Sequence, residues 1–230
     1  MRTLGLVGGT SWESTAIYYR LLNQGVRARL GGEHSAPLAL WSVDFATLAP
    51  LPAEGRWEEV AAIICDAARR VEQAGAEALL LCANTMHRVV GEVQAAVSVP
   101  LIHVADVTAD AIRAAGVRRP LLLATRFTME QAFYRDRLAA KGVEALIPGD
   151  AARARLHAII YDELILGMIA PGSKSAMLQI IADARREQGC DGVILGCTEF
   201  GLLIGPDDVD LPVIDTTVVH ADAGVAFMLG

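Results

Sequence analysis

The chain has 230 residues, 53% of them hydrophobic and 20% charged, with a formal net charge of −7. That balance lies far from the disordered range and is enough for a sizeable core, and the negative charge leaves no electrostatic footprint for nucleic acid. No window approaches roughly eighteen consecutive apolar residues, so no membrane span is expected.

The first element is a buried strand at Leu4–Val7. Its apolar run breaks at Gly8-Gly9, too soon for a signal-peptide core. Apolar residues at helical spacing then cover Thr15–Leu30 and Trp57–Ala74, which end near Gly31 and Gly75. Leu38–Leu40, Ala78–Leu81 and Leu101–Val104 are the further strands of this half. Such alternation predicts a mostly parallel sheet covered on both faces.

The second half repeats the scheme. Ala76–Leu81 leads into Cys82-Ala83-Asn84-Thr85, as Cys190–Leu195 leads into Gly196-Cys197-Thr198-Glu199. Val99-Pro100-Leu101-Ile102 matches Leu211-Pro212-Val213-Ile214, and Leu4–Val7 with Gly8-Gly9-Thr10 matches Leu121–Leu123 with Ala124-Thr125-Arg126. All three correspondences fall at nearly one spacing. The predicted fold class is therefore α/β, as two pseudo-symmetric parallel-sheet domains. Residues 1–105 form the first, joined by a helical tail in 216–230 that returns to it, and 106–215 form the second. Ligands of open parallel sheets bind beyond the carboxyl ends of the strands, so the active site is expected in the cleft between the two domains.

Four polar loops follow strands: Gly8-Gly9-Thr10-Ser11, Asn84-Thr85-Met86-His87, Thr125-Arg126-Phe127-Thr128 and Gly196-Cys197-Thr198-Glu199. Each places hydroxyl or amide side chains and backbone N–H groups at an expected helix start, an arrangement that suits a carboxylate. Plain N-capping is the competing reading for any one loop. The chain lacks G-x-G-x-x-G, a phosphate loop with lysine, G-x-S-x-G and a His/Asp/Glu metal cluster, which points to chemistry without metal or cofactor. Without an export signal, the cysteines (Cys65, Cys82, Cys190, Cys197) are expected as free thiols and the protein as cytoplasmic.

Gly5-Leu6-Val7-Gly8-Gly9-Thr10-Ser11-Trp12-Glu13-Ser14-Thr15, with Tyr18-Tyr19-Arg20, resembles the opening of the aspartate/glutamate racemase family of cofactor-independent amino-acid racemases. Asn84–His87 and Gly196–Glu199 are similar to its two catalytic loops, and Thr125–Met129 and Pro212–Thr216 fit it too, so the resemblance runs nearly end to end. It implies a small-molecule amino acid as substrate, a homodimer, and paired cysteines that add and remove the α-proton on opposite faces. Cys197 matches the second of these. A thiol near its ordinary pKa of about 8.5, tuned downward by donors and a helix start, serves as acid or base. The first is replaced by Ala83, which moves no proton. Cys82 is one residue away and points to the other face of its strand, so it is assigned to the core.

By the same resemblance, Thr10, Asn84, Thr85, Thr125, Thr198 and Glu199 bind the substrate's carboxylate and amino group. Some relatives carry threonine at the position of Ala83, and one-cysteine relatives include arylmalonate decarboxylases. A racemase, an enzyme that protonates a single face, and a catalytically silent amino-acid-binding protein therefore all stay open. Aspartate-specific members place basic side chains near Thr47–Pro52 and near the helix carrying Glu163, where this chain has none; only Lys174 and Arg56 are candidates to reach in, so a neutral or hydroxylated substrate side chain is also open. His87 is expected to bond a carbonyl, and Trp12, Trp41 and Trp57 to pack.

Overall fold

A computed structural model describes residues 1–230, which divide into two compact units: Met1–His103 with His220–Gly230, and Val104–Val219. The first unit comprises β1 (Leu4–Gly8), α1 (Trp12–Leu30), β2 (Leu38–Ser42), α2 (Phe45–Leu48), α3 (Trp57–Gln73), β3 (Ala78–Leu81) and α4 (Val90–Ala96). Its strands are all parallel, in the order β2-β1-β3.

Period-two alternation divides this sheet between two apolar layers. Val7, Leu79 and Leu81 pack on the α3 side with Val60, Ile64 and Val71. Leu4, Leu6, Ala78, Leu80 and Cys82 lie in the layer of Tyr18, Leu22 and Val225. Each fully buried leucine contributes about 2 kcal/mol. Cys82 and Ala83 fall in different layers, as period two requires. Burial drives the Cys82 thiol far above its ordinary range.

The second unit comprises α5 (Val104–Ala114), β4 (Pro120–Leu123), α6 (Arg126–Glu130), α7 (Ala132–Ala140), α8 (Asp150–Ala158), α9 (Pro171–Gln188), β5 (Gly192–Leu195) and β6 (Val213–Asp215). Its parallel order is β4-β5-β6 over a single core. The helix α10 (Thr216–Leu229) begins in this unit and continues in the first, where a Cβ on Gly224 would lie 2.8 Å from Leu4 and 3.1 Å from Leu80. No helix is long and apolar enough to cross a membrane.

The expected strand at Leu101–Val104 is corrected. Only Leu101 pairs, as a single bridge to Leu79, and Val104 already opens α5. The repeat survives in the register: Leu79 faces Leu101 as Val193 faces Val213, and on the far side of β4 Leu146 bridges Leu121. Trp57 packs against the α3 core as expected, and the other two tryptophans are the second correction. Trp12 is 65% exposed and Trp41 39% exposed; Trp41 lies under the Arg70 guanidinium, 4.3 Å from the ring centre, where its apolar face is partly covered.

Candidate active site

In the first unit, β1 and β3 are neighbours with Val7 opposite Leu81, so the Gly9–Ser11 and Ala83–Thr85 loops leave the same edge of the sheet side by side. Gly9 has φ 81°, and a Cβ there would sit 2.1 Å from the Val43 carbonyl oxygen, so only glycine fits. Its N–H donates to Thr15 Oγ1 at 2.8 Å, and the Thr15 hydroxyl donates to the Ser11 carbonyl at 3.1 Å. Ser11 is the one non-glycine residue with positive φ, 122°, a strained state that persists only where the surroundings impose it. Its side chain caps α1, accepting from the Ser14 N–H at 3.4 Å. The Thr10 hydroxyl is buried with no hydrogen-bond partner in the protein. Such a group costs about 1–3 kcal/mol unless a ligand or water satisfies it.

Asn84 and Thr85 are buried where a 3₁₀ turn, Thr85–Val89, begins, and the Asn84 side chain does not cap it. His87 is buried and donates from Nδ1 to the Ala83 carbonyl at 3.0 Å, the carbonyl partner expected of it; a carbonyl can only accept, which fixes this tautomer. The His87 ring lies 4.7 Å from that of His103 and 5.7 Å from that of His220. His220 donates from Nε2 to the Ile102 carbonyl and accepts the Tyr18 hydroxyl at Nδ1, both at 2.8 Å. Burial lowers the pKa of His87 well below the ordinary histidine value, and that of His220 to about 4. Both are neutral at pH 7.

In the second unit, Leu123 pairs with Leu195 and Leu195 with Asp215, which brings Thr125, Cys197 and Asp215 to one sheet edge. A Cβ on Gly196 would lie 2.8 Å from Leu122 and 3.1 Å from Ala124, so this approach to β4 needs glycine. Cys197 follows in extended geometry and opens the 3₁₀ turn Thr198–Leu202. Its thiol donates to Glu199 Oε2 at 3.0 Å, and the Thr198 hydroxyl donates to the same oxygen at 2.6 Å. Thr125 caps α6, accepting from the Thr128 N–H at 3.3 Å, so its oxygen does the bland job foreseen for such positions.

The sequence-based expectation that this loop lowers the Cys197 pKa is overturned. Burial raises it well above the ordinary thiol value, and the Glu199 carboxylate, as charge and as hydrogen-bond acceptor, and Asp215 raise it further. Burial also raises Asp215, against N–H bonds to its Oδ1 from Thr217 at 2.8 Å and Val218 at 3.3 Å. All four cysteines are free and buried.

Two residues, Tyr161 and its neighbour His157, were missed in the sequence. The helix α8 runs straight into a π turn, Ile159–Glu163. Tyr161 on that turn feels both Cys197 and Glu199; burial first, then these two charges, push its phenol up to about 12. Its ring lies 4.5 Å from that of His157, which accepts the Arg126 N–H at 3.3 Å. Four-residue spacing of two aromatic side chains was the available signal. The cations weighed for a second carboxylate are engaged: Lys174 by Asp208 at 2.6 Å, and Arg56 by Glu54 at 2.7 Å and Glu59 at 2.6 Å.

Each of the two parallel α/β units thus has a polar loop edge, and the second carries a buried thiol–carboxylate pair. The sequence model of the Asp/Glu/Hydantoin racemase family matches residues 7–224, and the chain belongs to that family. A Yersinia pestis protein described provisionally as an Asp/Glu racemase is 46% identical, with both chains fully covered and a TM-score of 0.91. PH1733, an aspartate racemase homologue from Pyrococcus horikoshii OT3, is 36% identical over the whole of both chains, with a TM-score of 0.87. The broad specificity amino-acid racemase RacX of Bacillus subtilis is 25% identical over 175 residues, 75% of this chain and 74% of RacX.

Proposed function

We propose that the protein is a cofactor-independent amino-acid racemase-type enzyme with Cys197 as its acid/base residue. The observation that carries this reading is the buried hydrogen bond from the Cys197 thiol to Glu199. A thiol beside a carboxylate has somewhere to put its proton. Transfer to Glu199 leaves a thiolate, which takes the α-proton of the bound amino acid and leaves the electron pair on the carbon, delocalised into the substrate carboxylate. The reverse sequence returns a proton to that carbon. Thr10, Asn84, Thr85, Thr125 and Thr198 are the groups assigned to the substrate's carboxylate and amino ends, and the partnerless Thr10 hydroxyl supports its place among them. Ala83 leaves the other face of the substrate carbon without a thiol, so in this reading inversion draws its second proton from water.

A second reading, protonation of one face only, is favoured by the raised Cys197 pKa, which holds the thiol in its acid form. One experiment separates these and the silent binder. L- and D-amino acids are incubated with the protein in D₂O and the α-proton signal is followed. Exchange with inversion identifies a racemase, exchange without inversion a one-faced enzyme, and binding with neither a silent amino-acid-binding protein. Cys197→Ser is expected to abolish exchange; unchanged exchange in that variant removes Cys197 from the mechanism. The family resemblance also implies a homodimer, which light scattering tests.

A further inference from the structure

The surroundings of Cys197 carry information about the substrate's side chain. The charges that bear on the thiol are those of Glu199 and Asp215, both negative. Lys174 and Arg56 are bound by carboxylates elsewhere, and Arg126, which is exposed, bears on His157. Tyr161 is a neutral group that also bears on Cys197 and Glu199, and its ring is held by others. Its ring stacks at a tilt on His157, whose ring meets Phe127 edge-on at 5.6 Å. This row of three rings ties the Thr125 loop to the π turn. A π turn is rare and is frequently found at functional sites.

We propose that Tyr161 is a specificity-determining residue whose hydroxyl hydrogen-bonds an uncharged polar side chain of the substrate, a hydroxyl or carboxamide, so that such amino acids are preferred to acidic ones. The inference rests on the proton-transfer reading of Cys197 for its place in catalysis. Its physical basis is local: a second carboxylate brought beside Glu199 and Asp215 meets like charge, which disfavours its ionised form, whereas an uncharged polar group meets no such repulsion.

The test measures both binding and exchange. Calorimetric binding and α-proton exchange in D₂O are compared for L-serine, L-asparagine, L-alanine and L-aspartate, in the wild type and in Tyr161→Phe. Serine and asparagine are expected to bind more tightly than aspartate. In Tyr161→Phe the serine-to-alanine and asparagine-to-alanine affinity ratios are expected to fall by roughly 3- to 10-fold, the worth of one neutral hydrogen bond. Tighter binding of aspartate, no measurable binding of any of the four, or an equal effect of Tyr161→Phe on all of them overturns the proposal. The expected binding order without exchange upholds Tyr161 and removes the proton-transfer reading. Exchange fastest with aspartate does the opposite.

Discussion

The Cys197 thiol and the Thr198 hydroxyl converge on one oxygen of Glu199, at 3.0 and 2.6 Å. Two neighbouring residues therefore share an acceptor, and the carboxylate both orients the sulfur and opposes its ionisation. Glu199→Gln removes that charge while keeping an acceptor of the same shape. The pH midpoint for alkylation of Cys197 by iodoacetamide, read by mass spectrometry, should move down. The rate of α-proton exchange should nevertheless fall by roughly 10²-fold, because the proton's destination is gone. A midpoint that stays put would show that burial alone sets the thiol.

Ala83 presents a methyl group where the resemblance expects a thiol. Ala83→Cys should raise inversion of L- to D-amino acid by roughly 10²-fold, the usual worth of a positioned acid/base group. Chiral chromatography of the product reads this directly. An unchanged rate would mean that another group already serves that face.

Ser11 holds φ 122° while capping α1. Glycine at a cap position costs only a few tenths of a kcal/mol, whereas relief of such strain is worth about 1–3 kcal/mol. Ser11→Gly should therefore stabilise the protein by about 1 kcal/mol in urea unfolding. Loss of stability would show that the loop around Thr15 compensates the strain fully.

The buried histidines give a pH dependence whose sign is fixed by their environment. The folded His220 titrates near 4, against about 6.5 when unfolded, so below 6.5 the unfolded chain binds more protons. Stability should be flat above pH 7 and fall by a few kcal/mol, in order of magnitude, as pH drops from 6.5 towards 4. His87 shifts in the same direction. Urea titrations at pH 7.5, 6 and 5 measure the slope, and His220→Gln should flatten part of it. A slope unaffected by that change would place the effect on other groups.

Much of the fold was legible because the strands are short, fully apolar and bounded by turn residues; Ala78–Leu81 is the clearest case. The opposite facing of Cys82 and Ala83 was legible for the same reason, since period two leaves no choice. Leu101–Val104 was misjudged because one bridged residue satisfies the sheet there, and the apolar pattern after it already belongs to a helix. The candidate loops were legible from their hydroxyls, glycines and cysteine. The direction of the Cys197 shift was not: it depends on how deeply the sulfur is buried and on Glu199 folding back across Thr198. Tyr161 was missed because it lies on none of the four strand-end loops: it sits on a π turn that follows α8, and only its four-residue spacing from His157 marked it.

The first unit is assembled from two separated stretches, and residues 220–230 cover its sheet. The Arg2 N–H donates to the Met228 carbonyl at 2.9 Å, and Gly224 lies against Leu4, Leu22 and Leu80. During synthesis, then, residues 1–103 stay incompletely covered until residues 220–230 have been made. The continuous second unit can mature ahead of them. Removing residues 220–230 would expose Leu4 and Leu80 to water, and apolar surface bared in this way is prone to aggregate.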